Sequence, residues 1–102
     1  MALRFEWDAQ KAAANLTKHG VSFREAATVF GDPLASTFVD PRHSVTEVRF
    51  VTFGFSHRHR LLAVMHSEQQ ATDLEGSLAE VIRLISARRA TPTERGAYEE
   101  ES

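Results

Sequence analysis

The chain has no cysteine in its 102 residues, so neither a disulfide framework nor a thiolate metal site is open to it. Three prolines and five glycines leave no linker-like stretch that would separate two domains, and there are no internal repeats. The longest apolar run, Leu61 to Met65, is far below the roughly 20 residues that span a bilayer. No charged-then-apolar leader precedes the first element, so a secretory signal is not expected. Also missing are a His-Glu-x-x-His pair, a Gly-x-Ser-x-Gly elbow and a phosphate-binding Gly-Lys-Ser/Thr loop. The five histidines show no ligand spacing with nearby carboxylates, and the expectation is a chain without metal or cofactor.

What is present fits one domain over residues 1–102 with a modest core: 42% hydrophobic and 25% charged residues are ordinary for a globular protein. The net charge is −2, yet the charges are unevenly spread. Eight of the twelve Lys and Arg residues, Arg42, Arg49, Arg58, Arg60, Arg83, Arg88, Arg89 and Arg95, fall between positions 42 and 95, while acids gather at Glu68–Glu80 and at Glu99–Glu101. A polyanion needs a local positive surface, not a positive total.

Leu3 to Trp7 alternates as a short strand with Leu3, Phe5 and Trp7 on its apolar side. Asp8 is an N-cap, Ala9, Ala12, Ala13 and Leu16 form an apolar stripe, and Gly20 follows basic Lys18-His19, which predicts a helix over 9–19. Ser22-Phe23-Arg24-Glu25 reads as a capping box for a second helix that Gly31-Asp32-Pro33 stops, giving a tight helical hairpin. The period then shortens. Strands are predicted at Thr37–Val39, Val48–Phe55, Leu61–His66 and Val81–Ile85, with a loop at Asp40-Pro41-Arg42-His43-Ser44 and a hairpin turn over Ser56–Arg60. Thr91-Pro92-Thr93-Glu94 is a capping box with proline at the first helical position, opening a helix through Tyr98, beyond which the acidic tail is expected to be disordered. The order β-α-α-β-β-β-β-α predicts an α+β fold, with an N-terminal strand and helical hairpin packed on an antiparallel sheet.

Two words in the chain carry chemistry. The first is Phe5-Glu6-Trp7-Asp8, with Lys11, Asn15 and Lys18-His19-Gly20-Val21-Ser22-Phe23; the second is Ile85-Ser86-Ala87-Arg88-Arg89-Ala90, with Thr91, Glu94-Arg95 and Tyr98. Together they resemble the BrnT family, the toxin half of bacterial type II toxin–antitoxin pairs, over residues 3–98. The resemblance implies a fold like that of RelE-type ribonuclease toxins and a cytoplasmic endoribonuclease that slows growth by cleaving RNA. It implies a BrnA-like ribbon-helix-helix antitoxin as partner, through which alone DNA would be contacted; no recognition-helix pattern occurs here.

Metal-free RNA cleavage needs a base for the 2′-hydroxyl, an acid for the leaving 5′ oxygen, and cations for the charge on phosphorus. The cations on offer are Arg49, Arg60, Arg83, Arg88 and Arg89; the acid–base groups are His19, His66, Glu47, Glu94, Lys11, Lys18 and Tyr98. Arg49 and Arg83 interrupt apolar strands, where a charge must reach solvent or a partner. On one face, with His66 on the strand between, they would form a compact cationic site; surface pairs with Glu47 and Glu80 are the plainer account. Lys11, Asn15 and Lys18 share a helix face with Asp8, although capping and the helix dipole also explain Asp8, Lys18 and His19. Arg88 and Arg89, placed between the last strand and the final helix, are suited to hold an anion at that helix's N-terminus. The site expected is therefore Arg49, Arg83, His66 and His19 for catalysis, with Lys11, Lys18, Arg60, Arg88 and Arg89 on RNA. Glu94 reads as the capping acceptor, and Trp7, Phe50, Phe53, Phe55 and Tyr98 as packing groups. The departure from BrnT-like chains is Glu68 to Ala79, read as a long acidic loop in place of a compact turn. Two other functions fit the same residues: a module that only pairs with a DNA-binding regulator, and a non-cleaving RNA-binding domain.

Overall fold

The computed structural model describes residues 2–41 and 47–101; Arg42, His43 and Ser44 of the predicted loop lie outside them. Its elements are β1 (Ala2–Glu6), α1 (Ala9–His19), α2 (Phe23–Thr28) running into a 3-10 turn (Val29–Gly31), β2 (Ser36–Val39), β3 (Phe50–Phe55), β4 (Leu61–Thr72), β5 (Leu78–Arg89) and α3 (Pro92–Glu101). The strands form one sheet in the order β1-β5-β4-β3-β2, antiparallel except for β1, which runs parallel to β5. This is the α+β architecture expected, and among the described residues no helix is long and apolar enough to cross a membrane.

The helix boundaries follow from caps. Asp8 accepts from the N–H groups of Gln10 and Lys11 at 2.8 and 3.1 Å, and Gly20, at φ 69°, closes α1 by donating to the Leu16 carbonyl. Ser22 caps α2 through the Glu25 N–H at 3.0 Å, but the Glu25 carboxylate turns away from the predicted box to Ser56 and Arg60. At α3 the box is reciprocal: Thr91 N–H donates to Glu94 Oε1 at 2.9 Å, and Glu94 N–H to Thr91 Oγ1 at 3.2 Å. α3 continues past Tyr98 over Glu99–Glu101, where the sequence reading expects disorder.

One sheet face packs on α1 and α2. Leu62, Val64, Ile82, Leu84 and Ala87 meet Val21, Phe23, Ala26 and Val29 there, all at most 2% exposed. Each large side chain so buried stabilises the fold by about 1.5–3 kcal/mol. Gly54 lies under the 3-10 turn, where a Cβ would stand 2.9 Å from Val29 Cγ1. The predicted apolar stripe of α1 is borne out in part: Ala12 packs against the core, but Leu16 is 52% exposed, and the buried residue is Asn15. Trp7, expected in the core, stays 37% exposed and meets Phe23 edge-on. The opposite sheet face is covered at one end by α3, where Tyr98 packs on Phe55 and donates its hydroxyl to Asp32 at 2.6 Å.

The largest difference from the sequence reading is Glu68 to Ala79. These residues are not a loop but the outer arms of β4 and β5, paired as far as Thr72↔Leu78. A turn closes them, in which Asp73 accepts from the N–H groups of Glu75 and Ser77. Backbone pairing with β5, and of β5 with β1 from Ala79 to Arg83, holds this arm without the apolar alternation that marks a half-buried strand. A bulge between Met65 and His66 leaves Ile85 unmatched: Met65 pairs with Ser86 and His66 with Leu84.

Candidate nucleic-acid interface

β1 ends at Glu6↔Arg83, so beyond Arg83 the outer edge of β5 has no strand beside it among the described residues. α1 takes that place through Asn15. Its Nδ2 donates to the carbonyls of Ala87 and Val21, each at 2.9 Å, and its Oδ1 accepts the Ala87 N–H at 3.0 Å. The side-chain amide thus acts as a one-residue strand, satisfying backbone groups that burial would otherwise leave unpaired. Lys11, Lys18 and His19 stand one helical turn to either side of Asn15, and with Ile85 and Ser86 of β5 they border an open groove of ≈ 220 Å³.

Arg83 adjoins the start of this groove. It pairs with Glu6 at 3.2 Å, both side chains well exposed, and so not with the Glu80 the sequence suggested. Asp8 is held below the usual aspartate range by the N–H groups of Lys11 and Gln10, with the charges of Lys11 and Arg83 assisting. Pairing sets Arg83 beside Ser67, and Met65 beside Ser86, on the face away from the α1–α2 core. Arg88, opposite Ala63, projects on that face too and makes a two-pronged ion pair with Glu94 at 2.8 and 2.9 Å. The guanidinium, through these bonds, pulls the Glu94 carboxyl down to about 2 against the effect of burial.

Three of the expected site residues do not join this face, and a fourth, Arg49, shares it but stands away from the groove. His66 is fully buried on the opposite face, between the rings of Phe30 and Phe50 at 5.0 and 5.7 Å. Its Nε2 is 2.7 Å from Thr52 Oγ1, which is 2.7 Å from Thr37 Oγ1, and burial pushes its pKa down to about 4. Glu68 Oε1 stands 3.6 Å from Nδ1, too far for a hydrogen bond. A neutral imidazole sealed from solvent cannot shuttle protons for RNA. Arg60 is committed to Glu25, with Nε donating at 2.9 Å and a very short second bond to Oε1, and to the Gly20 carbonyl at 3.1 Å. Glu25 is only 2% exposed, and its carboxyl is held low chiefly by Arg60, so this pair ties the β3–β4 turn to α2. Arg89 belongs to β5 and pairs with Leu62, which turns it to the other side of the sheet from Arg88. Arg49 extends the β2–β3 ladder by one step, its carbonyl accepting the Asp40 N–H, and its Nε is 3.9 Å from Glu47. β4 separates it from the groove, so the compact Arg49–His66–Arg83 site is not formed.

The structural role of Asn15 and the place of Ser86 in the groove floor are not among the sequence expectations. The available signal was Asn15 itself, a poor helix former in the middle of an alanine-rich helix. Among the described residues no group of three His, Asp or Glu side chains is arranged to hold a metal ion.

A helical hairpin docked on one side of a five-stranded sheet, with a lysine-lined groove along the β5 edge, defines a small α+β protein with a cationic rim on its open face. The family described as "Ribonuclease toxin, BrnT, of type II toxin-antitoxin system" matches residues 7–94, and the chain belongs to that family. Its fold is similar to the crystal structure of the ribonuclease toxin BrnT from Brucella abortus, at TM-score 0.54 and 20% identity, covering 89% of this chain and 99% of that one. No curated protein sequence matches it. At that identity the structural likeness speaks for the fold, while the family speaks for a ribonuclease toxin with an antitoxin partner.

Proposed function

We propose that this protein is a cytoplasmic, metal-independent endoribonuclease toxin, neutralised by a BrnA-like ribbon-helix-helix antitoxin that supplies any DNA contact. The observation that carries the reading is the α1–β5 groove: Asn15 fixes α1 so that Lys11, Lys18 and His19 border one channel beside Arg83. Lys11 and Lys18 would hold successive RNA phosphates, contacts that position the strand without reading it. His19, partly exposed and next to the groove, would take the proton from a 2′-hydroxyl. The 2′ oxygen then attacks the adjacent phosphorus, the bond to the 5′ oxygen breaks, and that oxygen leaves with a proton from Lys18 or water. The products are a 2′,3′-cyclic phosphate and a 5′-hydroxyl. Arg83 would stabilise the charge on the pentacovalent phosphorus, because an exposed pair with Glu6 costs little to exchange for a phosphate.

A second reading, an RNA-binding domain that does not cleave, draws on the same groove having one imidazole on its border where acid and base are both needed. Inducible expression separates the two. Growth arrest with RNA breakdown, relieved by Arg83→Ala while that variant still captures the antitoxin, is the expected outcome. Arrest that Arg83→Ala leaves untouched contradicts the proposed active site.

A further inference from the structure

The groove does not end at Ser86. Its register partner Met65 forms, with Val51 and Phe53, the floor of a second cleft of ≈ 190 Å³ on the same sheet face. Arg88 and Glu94 wall that cleft on the β5–α3 side, and Asp40, at the end of β2, on the other. The two depressions therefore lie side by side across the β5–β4 pair, one with cationic borders and one with an apolar floor. Strands in a sheet are about 4.8 Å apart, so the floor of the second lies within about 10 Å of Ser86, a reach for neighbouring nucleotides of one extended strand.

We infer that this second cleft is a base-reading subsite for single-stranded RNA, one that accepts a base carrying an exocyclic amino group. The inference rests on the RNA-cleaving reading of the groove and adds to it what the sheet face does next to the phosphate track. Three features fit a base better than a second phosphate. The floor is apolar and includes an aromatic ring and a thioether, which a planar base covers favourably. The Arg88 guanidinium is already met by Glu94, so the wall it contributes is a neutralised pair, not a bare cation. The facing wall brings the Asp40 carboxylate, an acceptor-only group that repels phosphate and accepts the N–H of an amino group. Adenine, cytosine and guanine carry such a group; uracil presents carbonyl oxygens instead. A carboxylate accepts from several donors at once, so Asp40 can keep the contacts it makes within the protein.

The test uses the whole chain and short, fluorescently labelled 2′-O-methyl oligoadenylate, oligocytidylate and oligouridylate, which lack the attacking hydroxyl and survive the titration. Wild type should bind the adenine and cytosine oligomers about tenfold more tightly than the uracil oligomer, the scale of one good base contact. Asp40→Ala should bring all three to the uracil value, and Met65→Trp, which fills the cleft from its floor, should do the same. Lys11→Ala should weaken all three equally. Equal binding by wild type, or a preference that survives both Asp40→Ala and Met65→Trp, overturns the subsite while leaving the groove intact. Failure of all three oligomers to bind overturns the subsite together with the RNA reading.

Discussion

Asn15 and Ala87 exchange two hydrogen bonds, Nδ2 to carbonyl at 2.9 Å and N–H to Oδ1 at 3.0 Å, across a separation of 72 positions. This link sets the angle and depth at which α1 meets β5, and through them the spacing of Lys11, Lys18 and His19 from Ser86. It also explains why an asparagine stands in the middle of α1, where alanine would make the better helix.

Replacing Asn15 by leucine leaves the Ala87 N–H and C=O and the Val21 carbonyl buried without this partner. We expect a loss of about 2 kcal/mol or more, read from the midpoint of urea unfolding. A change within about 0.5 kcal/mol, the range of ordinary surface substitutions, contradicts the role given to Asn15.

Arg60→Ala strands the buried Glu25 carboxylate and should cost about 3 kcal/mol or more, whereas the double change Glu25→Gln with Arg60→Met should recover much of that loss. The folded fraction of Arg60→Ala should bind RNA as wild type does. A selective loss of RNA affinity at full stability would return Arg60 to the nucleic-acid face.

His66 gives a pH dependence of defined sign. Its pKa is near 6.5 in the unfolded chain and about 4 in the fold, so the unfolded state binds more protons between those values. Stability is then complete above about pH 6.5 and declines as pH falls toward 4, by up to about 3 kcal/mol. Burial of Glu68 raises its carboxyl and works the other way, and the lowered carboxyl of Glu94 is lost only in more acid solution, between its ordinary 4.5 and about 2. The informative quantity is therefore the difference between wild type and His66→Gln, which should grow steadily from pH 4 to 6.5 and then level off. A flat difference across that window rules out the neutral, buried imidazole.

Lys11→Ala and Lys18→Ala should each lower RNA affinity without altering base preference. Each phosphate contact removed should reduce the slope of log affinity against log salt by about 0.7. A double variant with an unchanged slope shows that the strand does not follow α1.

Much of the fold was legible because its punctuation is local. Asp8, Ser22 and the Thr91–Glu94 box mark helix ends through their own side-chain bonds, and Gly20 does so through its left-handed backbone. The outer arms of β4 and β5 were not legible, because residues such as Glu68, Gln69 and Gln70 are held there by pairing with β5 and carry no apolar alternation. The site was half legible for a related reason. Helical spacing shows that Lys11, Asn15 and Lys18 share a face, but not that Asn15 turns in to bond β5 while the lysines border the groove. Nor does strand alternation show which face meets the helices. His66 and Arg83 look like neighbours in sequence pattern, yet His66 pairs with Leu84 on the core side while Arg83 stands one residue on, facing outward.

Metal-independent cleavage at the α1–β5 groove is tested most directly by incubating the purified chain with end-labelled RNA in EDTA and determining the chemistry of the new ends. The expected result is internal cleavage leaving 2′,3′-cyclic phosphate and 5′-hydroxyl ends, lost in Arg83→Ala and His19→Ala while both variants keep their stability. RNA left intact by the free chain and by the chain with translating ribosomes, or cleavage at full rate in both variants, would contradict it.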